Sequence, residues 1–313
     1  MFSRTIALVS LVALGSAVPA GCAATSHPTR PAALGRPWTS AALEAVIDQP
    51  GPVEIETLVG ADWEVPRSGL INLDHPVARA AHLTDQPEPI QVFVHVLRHP
   101  TQGVFLVDSG VSRKLIDDPA RSGVGWLLRQ MMHTERMRIG VDTASLLRQL
   151  KQPLAGVLLT HLHLDHLTGM PDIPAGTPVH AGPGETGERG FLNLITSGTI
   201  DGLLEAQQPI EEWPYRPDPD GRFAGVVDVF GDGSVAALLV PGHTAGNTAY
   251  LVRTPRGPVL LTGDACHTRW GWDHRVEPGT FSTDRPRSAT SLAALQALTT
   301  RHPSIDVRLG HQR

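Results

Sequence analysis

Residues 160–166 read Thr160-His161-Leu162-His163-Leu164-Asp165-His166 and follow directly on the apolar run Ala155 to Leu159. A short apolar run ending in polar residues reads as a buried strand. His161 and His163 alternate, so extended backbone at the strand end points both imidazoles the same way. Asp165 and His166 follow on a turn, where adjacent residues can face a second point. Four ligand-type side chains in six positions suit two neighbouring metal ions. Imidazole and carboxylate donors with no nearby thiolate motif favour zinc or a similar divalent ion.

The chain has 15 histidines, so chance pairs are expected and the weight falls on partners further along. A polar loop after a buried strand would account for residues 160–166 alone. It would not account for His243 in Pro241-Gly242-His243-Thr244-Ala245-Gly246-Asn247, just past another apolar strand. Nor would it account for Asp264 in Leu261-Thr262-Gly263-Asp264, or His311 in Leu309-Gly310-His311. Each of these ends a strand and has a glycine beside it, which lets backbone approach closely.

Around these points strand and helix patterns interleave. Ile90 to Leu97 alternates at period two, and Gly103 to Val107 pairs with it across a hairpin at Arg98 to Gln102. Further strands are expected at Val226-Phe230, Val235-Val240, Thr248-Val252, Pro258-Leu261 and Ile305-Leu309. Helices are expected at Trp126 to Met132, at Thr143 to Leu150 with Asp142 as N-cap, and at Arg287 to Thr300, with Ser288 or Thr290 near its start. That order implies stacked sheets covered by helices, an α/β architecture. Val111 to Gly140 and Gly182 to Asp220 lack clear strands and are candidate active-site loops.

With 41% hydrophobic residues in 313, the chain can bury a full core. Its formal net charge is -5, and only Lys114 and Lys151 are lysines. With no Lys/Arg run, it lacks the electrostatic footprint of a nucleic-acid binder. At the N-terminus, Arg4 precedes an apolar or small run from Thr5 to Val18, too short to span a bilayer as a helix. Residues 1–21 therefore read as a signal peptide. Val18-Pro19-Ala20-Gly21-Cys22 resembles a bacterial lipobox, although Pro19 stands where Leu is usual. Cys22 is then a lipid-anchor point and the only expected membrane contact. Plain secretion into the periplasm or medium, with an incidental Cys22, is the alternative. Residues 22–50, small and Pro-containing up to Pro37, are expected to form a linker or tether, with the folded domain that carries the histidine cluster over 51–313. If Cys22 carries lipid, Cys266 has no disulfide partner.

The set His161-x-His163-x-Asp165-His166, with His243, Asp264 and His311, resembles the metallo-β-lactamase superfamily over roughly Glu54 to the C-terminus. The resemblance implies a four-layered αββα sandwich. It also implies one metal on His161, His163 and His243, a second on Asp165, His166 and His311, and Asp264 bridging. Asp108, in Asp108-Ser109-Gly110, matches a position that the family fills with Asp near the site; a turn cap is its structural alternative. Two divalent ions roughly 3.5–4 Å apart can activate one water and polarise a scissile group, so no Ser or Cys nucleophile is needed. A G-x-S-x-G elbow is accordingly missing. Cys266, with no base assigned to it, reads as a small packing residue.

Asp264 stands where true metallo-β-lactamases have Cys or no ligand, which argues against antibiotic hydrolysis. The 77 positions from His166 to His243 and the 47 from Asp264 to His311 are similar to N-acyl-homoserine lactone lactonases. A small-molecule lactone or ester is thus the expected substrate. Phosphotriesterase or thioesterase activity on the same ligands is the alternative, and a non-catalytic metal-binding lipoprotein the remote one. The lactonases usually carry Tyr three residues after the bridging Asp; here it is His267. With Asp165 and Asp264 it is a candidate catalytic residue, as hydrogen-bond donor or proton shuttle. Its alternative is a structural His holding Asp264. Trp126, Leu127, Leu128, Met131 and Met132 either line an acyl-chain groove or form a buried helix face. Trp270 and Trp272 either wall the pocket or anchor their loop.

Overall fold

The computed structural model describes residues 22–190 and 193–313; the expected signal peptide lies outside them. Two sheets carry the fold. The first runs, edge to edge, Thr29–Pro31, Ile210–Glu212, Val179–Ala181, Leu154–Leu158, Gly103–Val107, Pro87–His99, Glu54–Pro66 and Arg138–Ile139. The second runs Asp306–Arg308, Gly257–Leu261, Thr248–Thr254, Val235–Leu239, Gly225–Asp228 and Arg36–Trp38.

Period-two alternation sorts the side chains of both sheets into layers. Leu97, Phe105, Val107 and Leu158 from the first sheet meet Val227, Ala237, Tyr250, Val252 and Leu261 from the second, forming the middle of the sandwich. Their neighbours Val96, Leu106 and Val157 point outward beneath Leu128, Leu146, Leu167 and Leu203 of the covering helices. On the other side Val226, Leu238, Leu251 and Leu260 pack under Leu295 and Leu298 of the helix Arg285–Arg301. Each fully buried aliphatic contributes about 1.5–3 kcal/mol. The result is the expected αββα sandwich.

Local signals explain the boundaries. The Asp142 side chain accepts from Ser145 N at 2.9 Å and starts the helix Thr143–Gln149. Arg285–Arg301 begins two residues before the expected start because Asp284 caps it, accepting from Arg287 N at 3.0 Å. Glu54–Pro66 is a strand that the sequence reading passed over. Its charged residues face solvent, and a bulge at Gly60 interrupts the register between Val59 and Ala61.

The expected tether is corrected. Thr29–Pro31 pairs in parallel with Ile210–Glu212 at the edge of the first sheet, and Arg36–Trp38 pairs with Gly225–Asp228 at the edge of the second. Cys22–Ala23 pairs with Arg189–Gly190. The backbone donors and acceptors of these short runs are taken up by strand edges, which a free linker would leave to water. The stretch Gly182 to Asp220 likewise contains a helix, Asn193–Leu204, and the strand Ile210–Glu212.

Candidate metal centre

Five strand ends converge on one edge of the sandwich. Leu154–Leu158 delivers His161, Val235–Leu239 delivers His243, Gly257–Leu261 delivers Asp264, Asp306–Arg308 delivers His311 and Gly103–Val107 delivers Asp108. Two hydrogen bonds tie these ends together. Thr248 N donates to Thr160 O at 2.9 Å across the two sheets, and Thr262 N donates to Arg308 O at 3.0 Å. The buried Tyr250 hydroxyl donates to Leu159 O at 2.9 Å and accepts from Trp213 Nε1 at 3.1 Å, fixing the strand that runs into His161.

The seven expected ligands come together as two groups that share Asp264. One contains His161, His163, His243 and Asp264; the other contains Asp165, His166, Asp264 and His311. Asp264 Oδ2 is the hub. It lies 3.3 Å from His311 Nε2, 3.4 Å from His166 Nε2, 3.4 Å from His243 Nε2 and 3.7 Å from His161 Nε2. His163 Nδ1 is 2.9 Å from His243 Nε2, and Asp165 Oδ2 is 3.3 Å from His311 Nε2. Two glycines make the approach possible. A Cβ at Gly310 would lie 2.3 Å from Asp264 Oδ1, and one at Gly242, whose φ is +133°, would lie 2.1 Å from Ser288 N.

Three of the imidazoles are oriented by their other nitrogen. His166 Nδ1 donates to Asp108 Oδ2 at 2.8 Å, while Asp108 Oδ1 accepts from Thr160 N at 2.8 Å. Asp108 therefore stands behind the site and holds a ligand-type ring, as the resemblance implied. It takes a left-handed φ of +58°, which Asp tolerates better than most residues. His311 Nδ1 donates to Gln91 O at 2.9 Å, and His243 Nδ1 lies 3.2 Å from Ser282 Oγ. Partners of this kind fix the tautomer and aim the free nitrogen inward.

Electrostatics split the cluster. Burial holds His161 and His243 well below the ordinary imidazole range and pushes His163 down to about 4, which keeps all three neutral. Burial also opposes charge on His166 and His311, but the carboxylates outweigh it. Asp108, Asp165 and Asp264 hold His166 well above the usual value, and Asp264 with Asp165 raises His311. Burial opposes the charge of Asp264, yet His311, His267 and His166 hold its carboxyl well below the usual range. The buried Nε2 atoms of His161 and His166, and Asp264 Oδ1, find no hydrogen-bond partner among the described residues. Buried polar atoms without partners are costly. A convergent set of nitrogen and oxygen donors whose free atoms face each other fits divalent cations, so the residues present suit the expected metals.

Glu185 was missed in the sequence reading. It is fully buried, with Oε2 accepting from Leu162 N at 2.9 Å. Its Oε1 accepts from Thr244 Oγ1 at 2.5 Å and from Gly246 N at 2.7 Å. One carboxyl thus clamps the His161-x-His163 loop to the His243 loop. Its only sequence signal is a Glu in the glycine-rich run 182–190, because two of its three partners are backbone amides.

The remaining candidates fall as follows. The His267 ring is buried, with Nδ1 3.1 Å from Leu70 O and Nε2 3.0 Å from Asp264 Oδ2; it lies against the carboxylate rather than out in solvent. Cys266 is buried and unpaired, and burial pushes its thiol up to about 12, which suits packing and not nucleophilic attack. Trp270 stacks on His274 at 4.3 Å, and Trp272 packs beside Cys266 and Leu309, so both anchor their loop. Trp126, Leu127 and Met131 are exposed at 68%, 57% and 51%, so only Leu128 of that helix faces the core fully. A cleft of about 720 Å³ borders the cluster, walled by Trp63, Glu64, Met137 and Arg138; of the site residues only His311 lines it.

The family model described as the metallo-beta-lactamase superfamily matches residues 87–310. The chain belongs to that superfamily. Members of the superfamily are metal-dependent hydrolases. Its relatives include the N-acyl homoserine lactonase AttM of Azorhizobium caulinodans, 27% identical over 223 residues, covering 67% of this chain and 78% of that protein. AttM of Rhizobium johnstonii is 27% identical over 209 residues, covering 66% and 77%. Among solved structures, a quorum-quenching N-acyl homoserine lactone lactonase superposes with a TM-score of 0.57 at 19% identity, over 85% of this chain and 94% of that one. At that identity the structural likeness establishes the superfamily fold.

Proposed function

We propose that this superfamily member is a dinuclear-metal hydrolase that opens a lactone or related ester of a small molecule. The observation that carries the reading is the convergence of the His161, His166, His243 and His311 nitrogens on Asp264 Oδ2. The lactonase relatives favour a lactone within that class. His161, His163 and His243 would hold one ion, Asp165, His166 and His311 the other, with Asp264 between them. Donor chemistry favours zinc. When bound, such ions supply a nucleophile at neutral pH and polarise the scissile carbonyl.

The chain's own residues do the rest. Asp108, Gln91 and Ser282 keep the His166, His311 and His243 rings turned inward, and Glu185 keeps the two loops in register. His163 and Asp165 are only half-buried, so substrate would approach from their side. Export with lipid attachment at Cys22 belongs to the same reading, supported by an exposed and unpaired Cys22. Replacing it, Cys22→Ser, should shift the protein out of the membrane fraction.

The decisive experiment is a hydrolysis screen on metal-replete and chelated protein with lactones, aryl esters, thioesters and phosphotriesters. Lactone turnover that disappears on chelation and returns with zinc is expected. Asp264→Ala should lower metal occupancy and nearly abolish turnover. Full activity in metal-free protein overturns the mechanism. Turnover confined to thioesters or phosphotriesters overturns the substrate class.

A further inference from the structure

No residue of the helix Trp126–Met132 lines the cleft beside His311, and most of its apolar side chains are not spent on the core. At about 100° per residue, Trp126, Gln130, Leu127 and Met131 fall within an arc of about 140°. Trp126, Leu127 and Met131 are all more than half exposed, while Leu128 turns inward. With Ile116, the segment 113–131 holds four of the eight large hydrophobic side chains exposed among the described residues. Apolar side chains gathered on one exposed face mark a surface that meets something.

The segment that carries this face is basic in an acidic chain. Residues 113–151 hold eight Arg or Lys against four Asp or Glu, net +4 where the whole chain carries -5. Arg113, Lys114, Arg121 and Arg136 have carboxylate partners. Arg138, Arg148 and Lys151 are exposed and form no ion pair among the described residues. Arg129, on the apolar helix itself, has a buried guanidinium nitrogen with no acceptor there. An outward Trp-containing face with unpaired cations on the same segment is the composition of a helix that lies in a membrane interface. Its apolar side chains enter the acyl boundary and the cations meet anionic headgroups. Two-fold pairing with a second copy would set like charges against each other.

The placement agrees. A Cβ at Gly123, just before the helix, would lie 2.9 Å from Leu203 Cδ2, so this loop rests on the C-terminal end of Asn193–Leu204. The other end of that helix holds the Cys22 carbonyl through Asn193 and exposes Leu194 and Ile195. Twelve residues put the two ends about 18 Å apart. No helix among the described residues is long and apolar enough to cross a membrane, so such a contact is peripheral.

We propose that the Trp126, Leu127 and Met131 face of the basic segment 113–151 docks on an anionic phospholipid surface. The contact is distinct from Cys22 and depends neither on lipid attachment there nor on the hydrolase reading.

The full chain is mixed with vesicles of phosphatidylglycerol and phosphatidylethanolamine, or of phosphatidylcholine alone, and binding is read by sedimentation. Tighter binding to the anionic vesicles, weakened by salt, is expected. Trp126→Glu with Leu127→Glu should lower it by about tenfold or more, with an unchanged urea midpoint because both side chains are exposed. Any contribution of residues 1–21 is common to both proteins. Brominated lipid should quench part of the tryptophan fluorescence of wild type, and that part should vanish in Trp126→Phe, which keeps the face apolar. Equal binding by the Glu variant, or quenching unchanged in Trp126→Phe, overturns the proposal. A wild-type dimer that Trp126→Glu converts to monomer also overturns it, since a second copy then covers the face.

Discussion

Replacing the buried clamp, Glu185→Gln, separates what holds the chain together from what holds the metals. In the native protein one carboxylate oxygen serves Thr244 and Gly246 and the other serves Leu162. A Gln amide has one acceptor, so its nitrogen must face a donor, and the cheapest loser is Leu162 N. Losing a hydrogen bond to a charged acceptor and leaving that amide unpaired costs about 2–3 kcal/mol. In metal-free protein an opposing effect nearly offsets this. Burial lifts the Glu185 carboxyl from 4.5 to about 7. With a raised folded-state value, its contribution to stability is fully present below pH 4.5 and is lost as the pH rises through 7. That loss amounts to about 3 kcal/mol, which Gln does not suffer. Urea unfolding of the metal-free variant at pH 8 should therefore differ little from wild type. Metal affinity should behave differently. The loops carrying His161, His163 and His243 lose their shared clamp, and the cations lose a nearby negative charge. A roughly 10- to 100-fold weaker binding is expected in a zinc competition titration. Affinity within about twofold of wild type would falsify the clamp and leave Glu185 as a packing residue only.

The other predictions concern the support behind the site and the acid limit of the fold. Asp108→Asn keeps a residue that tolerates the left-handed φ but cannot satisfy both His166 Nδ1 and Thr160 N, so metal affinity should fall about 10- to 100-fold. A metal titration showing no loss would make Asp108 a turn cap only. His95, hydrogen-bonded with Thr57 Oγ1 at 2.7 Å, is pushed down to about 3 by burial, with Arg308 and His166 adding to the effect. With a depressed imidazole value, its contribution is fully present above pH 6.5 and is lost as the pH falls towards 3. Moving from pH 7 to pH 4 should cost wild type about 3 kcal/mol more than His95→Gln in urea unfolding, and parallel pH profiles would refute the assignment.

Much of the centre was legible because His161 follows an apolar run and His243, Asp264 and His311 each end one beside a glycine, which at Gly242 and Gly310 proves sterically necessary. Asp108 could be anticipated from its Asp-Ser-Gly turn. Glu185 could not, since the amides of Leu162 and Gly246 that define its role carry no side-chain signature. Glu54–Pro66 alternates, but its acidic solvent face and the Gly60 bulge blur the pattern. Arg36–Trp38 and Thr29–Pro31 are too short for any period, and their pairing is decided by distant edges. The helix Trp126–Met132 was placed correctly, but its exposed face depends on what packs beside it, which sequence does not state.

The N-terminal stitching has a mechanical consequence. Cys22 O accepts from Asn193 Nδ2 at 3.2 Å, Ser26 bonds Asp201 through both N and Oγ at 2.7 Å each, and His27 Nε2 donates to Gln208 O at 2.9 Å. The same segment then borders first one sheet and next the other. There is no slack between Cys22 and the body of the enzyme. An anchor at Cys22 would act as a rigid mount and not as a leash: the domain could not swivel, and one fixed face would look towards the surface that holds it. A pull on that residue would be borne at once by Asp201 and Gln208, and the strap along both sheet edges would have to peel before the strand ends that carry the histidines felt the load.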